Sequence, residues 1–209
     1  MTMPKIRRSQ AERVRDSENA LYGATIKLIA RVGPSKMTVA DIGREAGLSP
    51  AQVTHRFGSK SNLLYATVRR ILELWVEELT QPVIAEDGLQ RLETAGHIYL
   101  KAITHRSDLL LAQARLTVES HSSYAELQPV IREFNQQARE TTVHLLTPLQ
   151  AKGEIDAEVD LESFAIMYLG MMRGVASQYL VDSQNVDLNA VYDFIKIACR
   201  KVLLNESRK

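Results

Sequence analysis

Apolar and polar residues alternate along this chain with a helical period almost throughout, and no stretch alternates by twos for long enough to suggest a strand. Leu21, Ala24, Leu28 and Val32 recur at three- and four-residue steps, the buried stripe of a first helix. Ser9 with Glu12 spells a capping box that starts this helix near Gln10, and Gly33 stops it. Val39, Ile42, Leu48, Val53 and Phe57 then mark the inner face of two much shorter helices. Thr38 with Asp41 is a near capping box for the first of these and Ser49 with Gln52 a full one for the second. Pro50 takes the first helical position, where its missing N–H costs nothing, and Gly47 after the small Ala46 supplies the sharp turn between them. A fourth helix follows Ser59 and runs to about Thr80, where Gln81-Pro82 ends it. Further helices are predicted near 87–104, 107–119, 124–152, 160–181 and 187–204, with Pro129 delaying the start of the longest and Pro148 kinking its end. The expected fold is all-α, about nine helices: an N-terminal three-helix lobe over residues 9–66 and a larger helical lobe over 67–209, preceded by a flexible basic arm at 1–8.

Two short helices joined by a tight glycine turn are the layout of a helix-turn-helix that reads DNA, and equally of an ordinary helical hairpin in an all-α core. Charge separates the two. Residues 1–70 hold 13 Lys/Arg against 5 Asp/Glu, a balance of +8, whereas residues 71–209 hold 13 against 20, a balance of −7. The net +1 of the whole chain therefore hides a strongly dipolar molecule, whose basic end contains the helix pair and whose acidic end phosphate would repel. Lys5, Arg7 and Arg8 give the arm a charge suited to a minor groove, or simply a disordered start.

The residues Leu21-x-x-Ala24-x-x-x-Leu28-Ile29-Ala30-x-x-Gly33, Met37-Thr38-Val39-x-Asp41-Ile42-x-x-Glu45-Ala46-Gly47-Leu48-Ser49 and Phe57-x-Ser59-Lys60-x-x-Leu63-Leu64 together resemble the N-terminal signature of the TetR family of bacterial transcriptional regulators. Further on, Lys152-Gly153-Glu154-Ile155 and the apolar helix with Gly170 and Gly174 are similar to the junction of the seventh and eighth helices in many members. Three positions depart from the pattern. Thr54 stands where many members carry a tyrosine that touches the DNA backbone, Pro34 replaces a common aromatic, and Gly43 replaces alanine inside a helix, at about 0.5 to 1 kcal/mol unless the space is used.

The resemblance places Pro50, Ala51, Gln52, Thr54 and His55 in the major groove. Their chemistry agrees, since glutamine pairs with adenine and small apolar groups meet thymine methyls. Thr38, Ser59 and Lys60 sit at helix starts suited to phosphate, with Arg44 and Arg56 as further phosphate contacts or solvated surface charges. The resemblance further implies an effector cavity in the second lobe, for which Trp75, His97, Leu100, Arg115, Glu119, Phe134, Met167 and Met171 are the candidates, each also able to be plain core or surface. Residues 160–181 are apolar nearly all round. Ile166, Gly170, Gly174 and Ser177 there, with Val191, Phe194, Ile195, Ala198 and Val202 on the last helix, are expected to pair with a second copy as a four-helix bundle, or to fill one chain's core.

Composition excludes much else. With 45% hydrophobic and 24% charged residues the chain is an ordinary folded one, and no apolar run reaches membrane-spanning length; the longest uncharged apolar stretch, 163–172, ends at Arg173. Cys199 is the one cysteine, so no disulfide framework exists and a reducing cytoplasm is expected. No phosphate-binding loop, nucleophile elbow or metal-ligand spacing is present, and no catalytic residue, metal or cofactor is assigned. The expectation is a homodimeric repressor that binds a near-palindromic double-stranded operator and leaves it when a small molecule binds. The alternative is an architectural, nucleoid-associated DNA binder without an effector.

Overall fold

The computed structural model describes residues 9–80 and 88–204. Among these, nine α-helices follow in order: α1 (Gln10–Val32), α2 (Val39–Ala46), α3 (Pro50–Phe57), α4 (Lys60–Thr80), α5 (Gly88–His105), α6 (Ser107–Glu119), α7 (Gln128–Ala151), α8 (Leu161–Val181) and α9 (Leu188–Leu204). The expected basic arm at 1–8 and the Gln81-Pro82 break lie outside the described residues.

Helix starts are where the capping chemistry put them. Ser9 Oγ accepts from the Glu12 N–H while the Glu12 carboxylate accepts from the Ser9 N–H at 2.7 Å, and the same reciprocal pair forms at Thr38 with Asp41 and at Ser49 with Gln52. Asp160 caps α8, accepting from the Glu162 N–H at 3.2 Å and from Ser163 Oγ at 2.6 Å. The 124–152 segment opens with a single 3-10 turn, Ala125–Leu127, before α7 begins with Pro129 in its first turn. That delay follows from proline, which tolerates only the first turn because it has no N–H to give.

Helix α1 departs from a one-sided stripe. Leu21, Ala24, Thr25, Ile26, Leu28 and Ile29 are all buried, because α1 packs on α2 along one side and, most extensively of any helix pair, on α6 along another. Thr25 is tolerated there because its hydroxyl donates to the Leu21 carbonyl one turn back. Val32, expected to complete the stripe, is instead exposed, since Gly33 turns the chain away at that point. The buried residues form one cluster that runs from Leu21 to Leu203, so the head and body share a continuous core.

In the body, α5, α7 and α8 frame the centre, and α9 packs on α5 and α8, its end tied to the loop between α7 and α8 by the Asp156 N–H bonded to the Leu203 carbonyl at 2.9 Å. Gly96 lets this junction close. A Cβ there would lie 2.4 Å from the Tyr168 hydroxyl, which donates to the Leu92 carbonyl, and beside Tyr192, whose hydroxyl donates to the Glu93 carbonyl. Burial pushes both phenols above the ordinary tyrosine range, so they remain neutral donors.

Candidate nucleic-acid interface and effector cavity

Helices α2 and α3 cross closely because the chain between them has been cut to the minimum. Gly47 adopts the left-handed conformation (φ 69°), and the Leu48 N–H returns to the Gly43 carbonyl at 2.8 Å. Gly43 proves to be needed for this turn: a Cβ at that position would stand 2.7 Å from the Leu48 carbonyl oxygen. The apparent helix-weakening glycine is thus the space into which the turn folds. Ile42 and Val53 are buried between the helices, and Phe57 meets the ring of Tyr22 on α1 edge to face, with centroids 5.7 Å apart.

The other side of α3 is open. Pro50, Ala51, Gln52, Thr54 and His55 are all exposed on it. Gln52 has a second task, since its Oε1 accepts from the Ser49 N–H at 2.8 Å while its amide N–H₂ group is the part left outward. Arg56 is occupied otherwise. Its Nη1 donates to Glu18 Oε1 at 2.9 Å and to the Val14 carbonyl at 3.2 Å, which fastens the end of α3 to α1.

The residues expected at phosphates take varied positions around this face. Thr38 spends its hydroxyl proton and its backbone N–H on Asp41, and these hydrogen bonds, with a smaller contribution from Arg44, hold the Asp41 carboxyl below the usual range. Arg44 is largely exposed, 3.3 Å from Asp41. Ser59 caps α4 by accepting from the Asn62 N–H at 3.1 Å, leaving its hydroxyl proton for another acceptor. The Lys60 ammonium lies over the Tyr124 ring, 5.6 Å from its centroid. Pro34, the departure in the loop before α2, is buried, and its carbonyl accepts from the Tyr124 hydroxyl at 3.3 Å.

A cavity of about 1060 Å³ lies in the body, walled chiefly by α4, α5, α7 and α8. Trp75 and Phe134, two of the residues singled out from the sequence, line it. The other six candidates do not. On α5 the inward positions are Leu92, Ala95, Gly96 and Tyr99, so His97 and Leu100 fall on other faces: His97 against the Tyr192 ring and Leu100 in the packed core. Met167 and Met171 miss by one step each, since α8 turns Tyr168, Leu169, Met172 and Arg173 inward. Arg115 and Glu119 face the head, Arg115 donating to the Ile29 carbonyl at 3.4 Å and Glu119 accepting from Ser35 Oγ at 2.8 Å. Tyr99, Gln113 and Arg173 are among the polar wall residues that sequence reasoning missed. The one available signal was Arg173, a lone charge ending a ten-residue apolar run.

On the outside of α8 and α9, Ile166 is 55% and Phe194 75% exposed, and Met167, Ile197 and Val202 are exposed beside them. A Cβ on Gly170 or Gly174 would meet nothing within 4 Å, and Ser177 and Ala198 are exposed as well. Val191 is half-buried. Ile195 does not share this outer face: it is 6% exposed and sits on the inner stripe with Tyr192, Cys199 and Leu203, because that stripe packs on α5 and α8. Among the described residues no helix is long and apolar enough to cross a membrane.

A capped, outward-facing second helix crossed at a glycine turn, mounted on a larger helical body, defines a helix-turn-helix protein. The sequence profile of the bacterial regulatory proteins of the tetR family matches residues 21–67, from the middle of α1 into α4. Residues 21–67 are thus similar to the N-terminal segment of that family. The chain is 30% identical over 122 residues to the HTH-type transcriptional regulator BetI of Agrobacterium fabrum, a match covering 58% of this chain and 57% of that relative. The chain thus spans a little over half the length of that curated relative. Over the whole fold it is similar to the transcriptional regulator FadR of Bacillus subtilis, solved in complex with stearoyl-CoA (TM-score 0.76, 18% identity, 88% of this chain and 98% of that one). It is also similar to a transcriptional regulator from Saccharomonospora viridis solved in complex with choline (TM-score 0.74, 20% identity, 90% and 98%). At these identities the likeness is one of fold, and the two bound ligands are chemically unrelated.

Proposed function

We propose that this chain is a homodimeric, sequence-specific transcriptional repressor released from its operator by a small molecule, and not an enzyme. The observation that carries the reading is α3: five outward residues, Pro50 to His55 with Val53 turned inward, on a helix fixed to α1 and carried by the basic end of the chain. Residues 9–66 serve as the DNA-reading unit and 67–209 as the effector and dimerisation unit. Gln52, Thr54 and His55 reach base edges, Pro50 and Ala51 meet thymine methyls, and Arg44, Ser59 and Lys60 contact phosphates. The uncovered apolar face of α8 and α9 pairs with its copy, which sets the spacing of two reading helices on a near-palindrome.

Effector coupling runs through α4. Leu72 and Trp75 of that helix form cavity wall, while the helix also packs on α1 and α3 of the head. Trp75 also donates to Gln113 of α6 at 2.9 Å, and α6 is the helix on which α1 rests. A ligand that changes the packing around Trp75 therefore acts on both supports of the head, at a coupling of about 1 to 3 kcal/mol for devices of this kind. A mobility-shift assay on the promoter regions flanking its own gene tests the reading. One discrete complex with a preferred sequence is expected, and binding indifferent to sequence would overturn it in favour of an architectural DNA binder.

A further inference from the structure

The second lobe is acidic overall, yet the cavity inside it is cationic: Arg91, Lys152, Arg173 and Arg200 line it against Glu140 and Glu154. Arg200 is satisfied by Glu93. Arg173 is different. It rises from the apolar helix α8 beside Leu169 and Met172, its Nη1 donates to the neutral Asn135 Oδ1 at 2.7 Å, and its guanidinium lies over the Phe134 ring, 5.7 Å from the centroid. No carboxylate among the described residues pairs with it, and its charged neighbour, Arg139, is a second cation already bound to Glu162 at 2.7 Å. Burial lowers the Arg173 pKa, a sign that the charge is poorly solvated, although a guanidinium stays protonated. Buried charges are ordinarily paired.

A second donor stands in the same wall. The Tyr99 hydroxyl makes no hydrogen bond among the described residues, and its pKa is pushed up to about 12 by burial, so it keeps its proton and is free to donate it to an acceptor. Two donors, one of them cationic, thus face a cavity whose apolar wall includes Leu72, Trp75, Leu92, Phe134 and Met172. At about 1060 Å³ it is at the upper end of small-molecule sites, too large for a compact polar ion to fill.

Resting on the effector reading above, we infer that the cavity takes an amphipathic monocarboxylic acid, its carboxylate accepting hydrogen bonds from Arg173 and Tyr99 and its hydrocarbon body lying along Trp75, Leu92 and Met172. The charged head supplies the counter-ion that the protein withholds, and a cationic amphiphile meets an uncancelled guanidinium instead.

The chain's one tryptophan, Trp75, lies in the cavity wall, so its emission reports occupancy directly. Decanoate, decanol and decyltrimethylammonium are titrated into the full-length protein, into R173M and into R173K. Decanoate is expected to bind the natural chain at least tenfold more tightly than the other two, R173M to lose that preference and R173K to keep part of it. R173M should melt at the same or a higher temperature than the natural chain, since it removes a part-buried charge that no carboxylate pairs; an arginine kept for structure would lower it. Equal affinity for the three amphiphiles, or undiminished binding of decanoate to R173M, overturns the assignment. The titration reads the cavity independently of DNA. A protein that prefers decanoate without leaving its operator supports the ligand class while refuting the effector role.

Discussion

Arg56 is held by Glu18: the guanidinium of the last turn of α3 donates to the carboxylate of α1 at 2.9 Å, and also to the Val14 carbonyl. The pair spans 38 residues and is part-buried, so it fixes the angle at which α3 is presented. Replacing Glu18 with Ala removes this anchor without touching any outward residue of α3. DNA affinity should fall a few-fold on every sequence, in line with the about 0 to 1 kcal/mol of a partly exposed ion pair. Anisotropy titrations at several salt concentrations should give an unchanged salt slope for Arg56→Met. A slope smaller by about one would mean that Arg56 contacts a phosphate after all.

Gly43→Ala should destabilise the chain. In an open helix interior this exchange stabilises by about 0.5 to 1 kcal/mol. Here the added methyl meets the Leu48 carbonyl at 2.7 Å, backbone that cannot move without opening the turn. A loss of about 1 to 3 kcal/mol is expected, typical of overpacking. Urea unfolding measures it, and a gain in stability would show that the turn relaxes freely.

Gln52 caps α3 and faces outward, and two substitutions divide these roles. Gln52→Glu keeps an acceptor for the Ser49 N–H but cannot donate to adenine N7, so stability should hold while base preference is lost, by about 1 to 3 kcal/mol at the position it reads. Gln52→Ala should lose both. Thermal melts beside binding to a panel of single-base operator variants separate the outcomes.

His97 makes folding sensitive to mild acid. Burial, then Lys101 and Lys196, hold its imidazole below the ordinary 6.5. The unfolded chain therefore binds the proton first, so stability should be unaffected above about 6.5, fall as pH drops from there toward the lower folded value, and level off below it. His97→Gln should flatten that limb in urea midpoints taken between pH 5 and 8. Asp41 acts in the opposite sense: its lowered carboxyl contributes above its ordinary 3.8 and fades as pH falls through the folded value, a loss that Thr38→Val should reduce.

Phe194→Glu should leave a folded monomer. The ring is 75% exposed, so the change costs the single chain little, whereas a charge placed at the centre of a paired apolar face prevents association. Light scattering after size exclusion gives the mass, and a dimer surviving both this change and Ile166→Glu would put the interface elsewhere.

Helix boundaries were readable because they depend on neighbours in sequence. Ser9, Thr38, Ser49 and Asp160 cap their own helices, and Pro129 delays its own helix, whatever the rest of the chain does. Facing was less readable, because it depends on how many partners a helix has. Val32 was placed inside from a period that α1 does not keep once α6 covers it, and Ile195 was placed outside although α9 turns it toward α5 and α8. The cavity was least readable of all. Its wall is drawn from helices far apart in sequence, and a one-residue rotation of α8 exchanges Met167 and Met171 for Tyr168 and Met172. Gly43 was visible as a local flaw, and its reason, the carbonyl of Leu48, exists only in the folded turn.

The burial of α1 against α6 constrains how such a chain can diversify. A head excised behind α4 would carry a raw apolar flank, and a head transplanted onto a foreign body would need that body's sixth helix to match it, down to an arginine for the Ile29 carbonyl and an acceptor for Ser35. If the five outward side chains of α3 read the bases as proposed, operator preference can drift through them alone, while chimeras that swap whole halves inherit a mismatched seam.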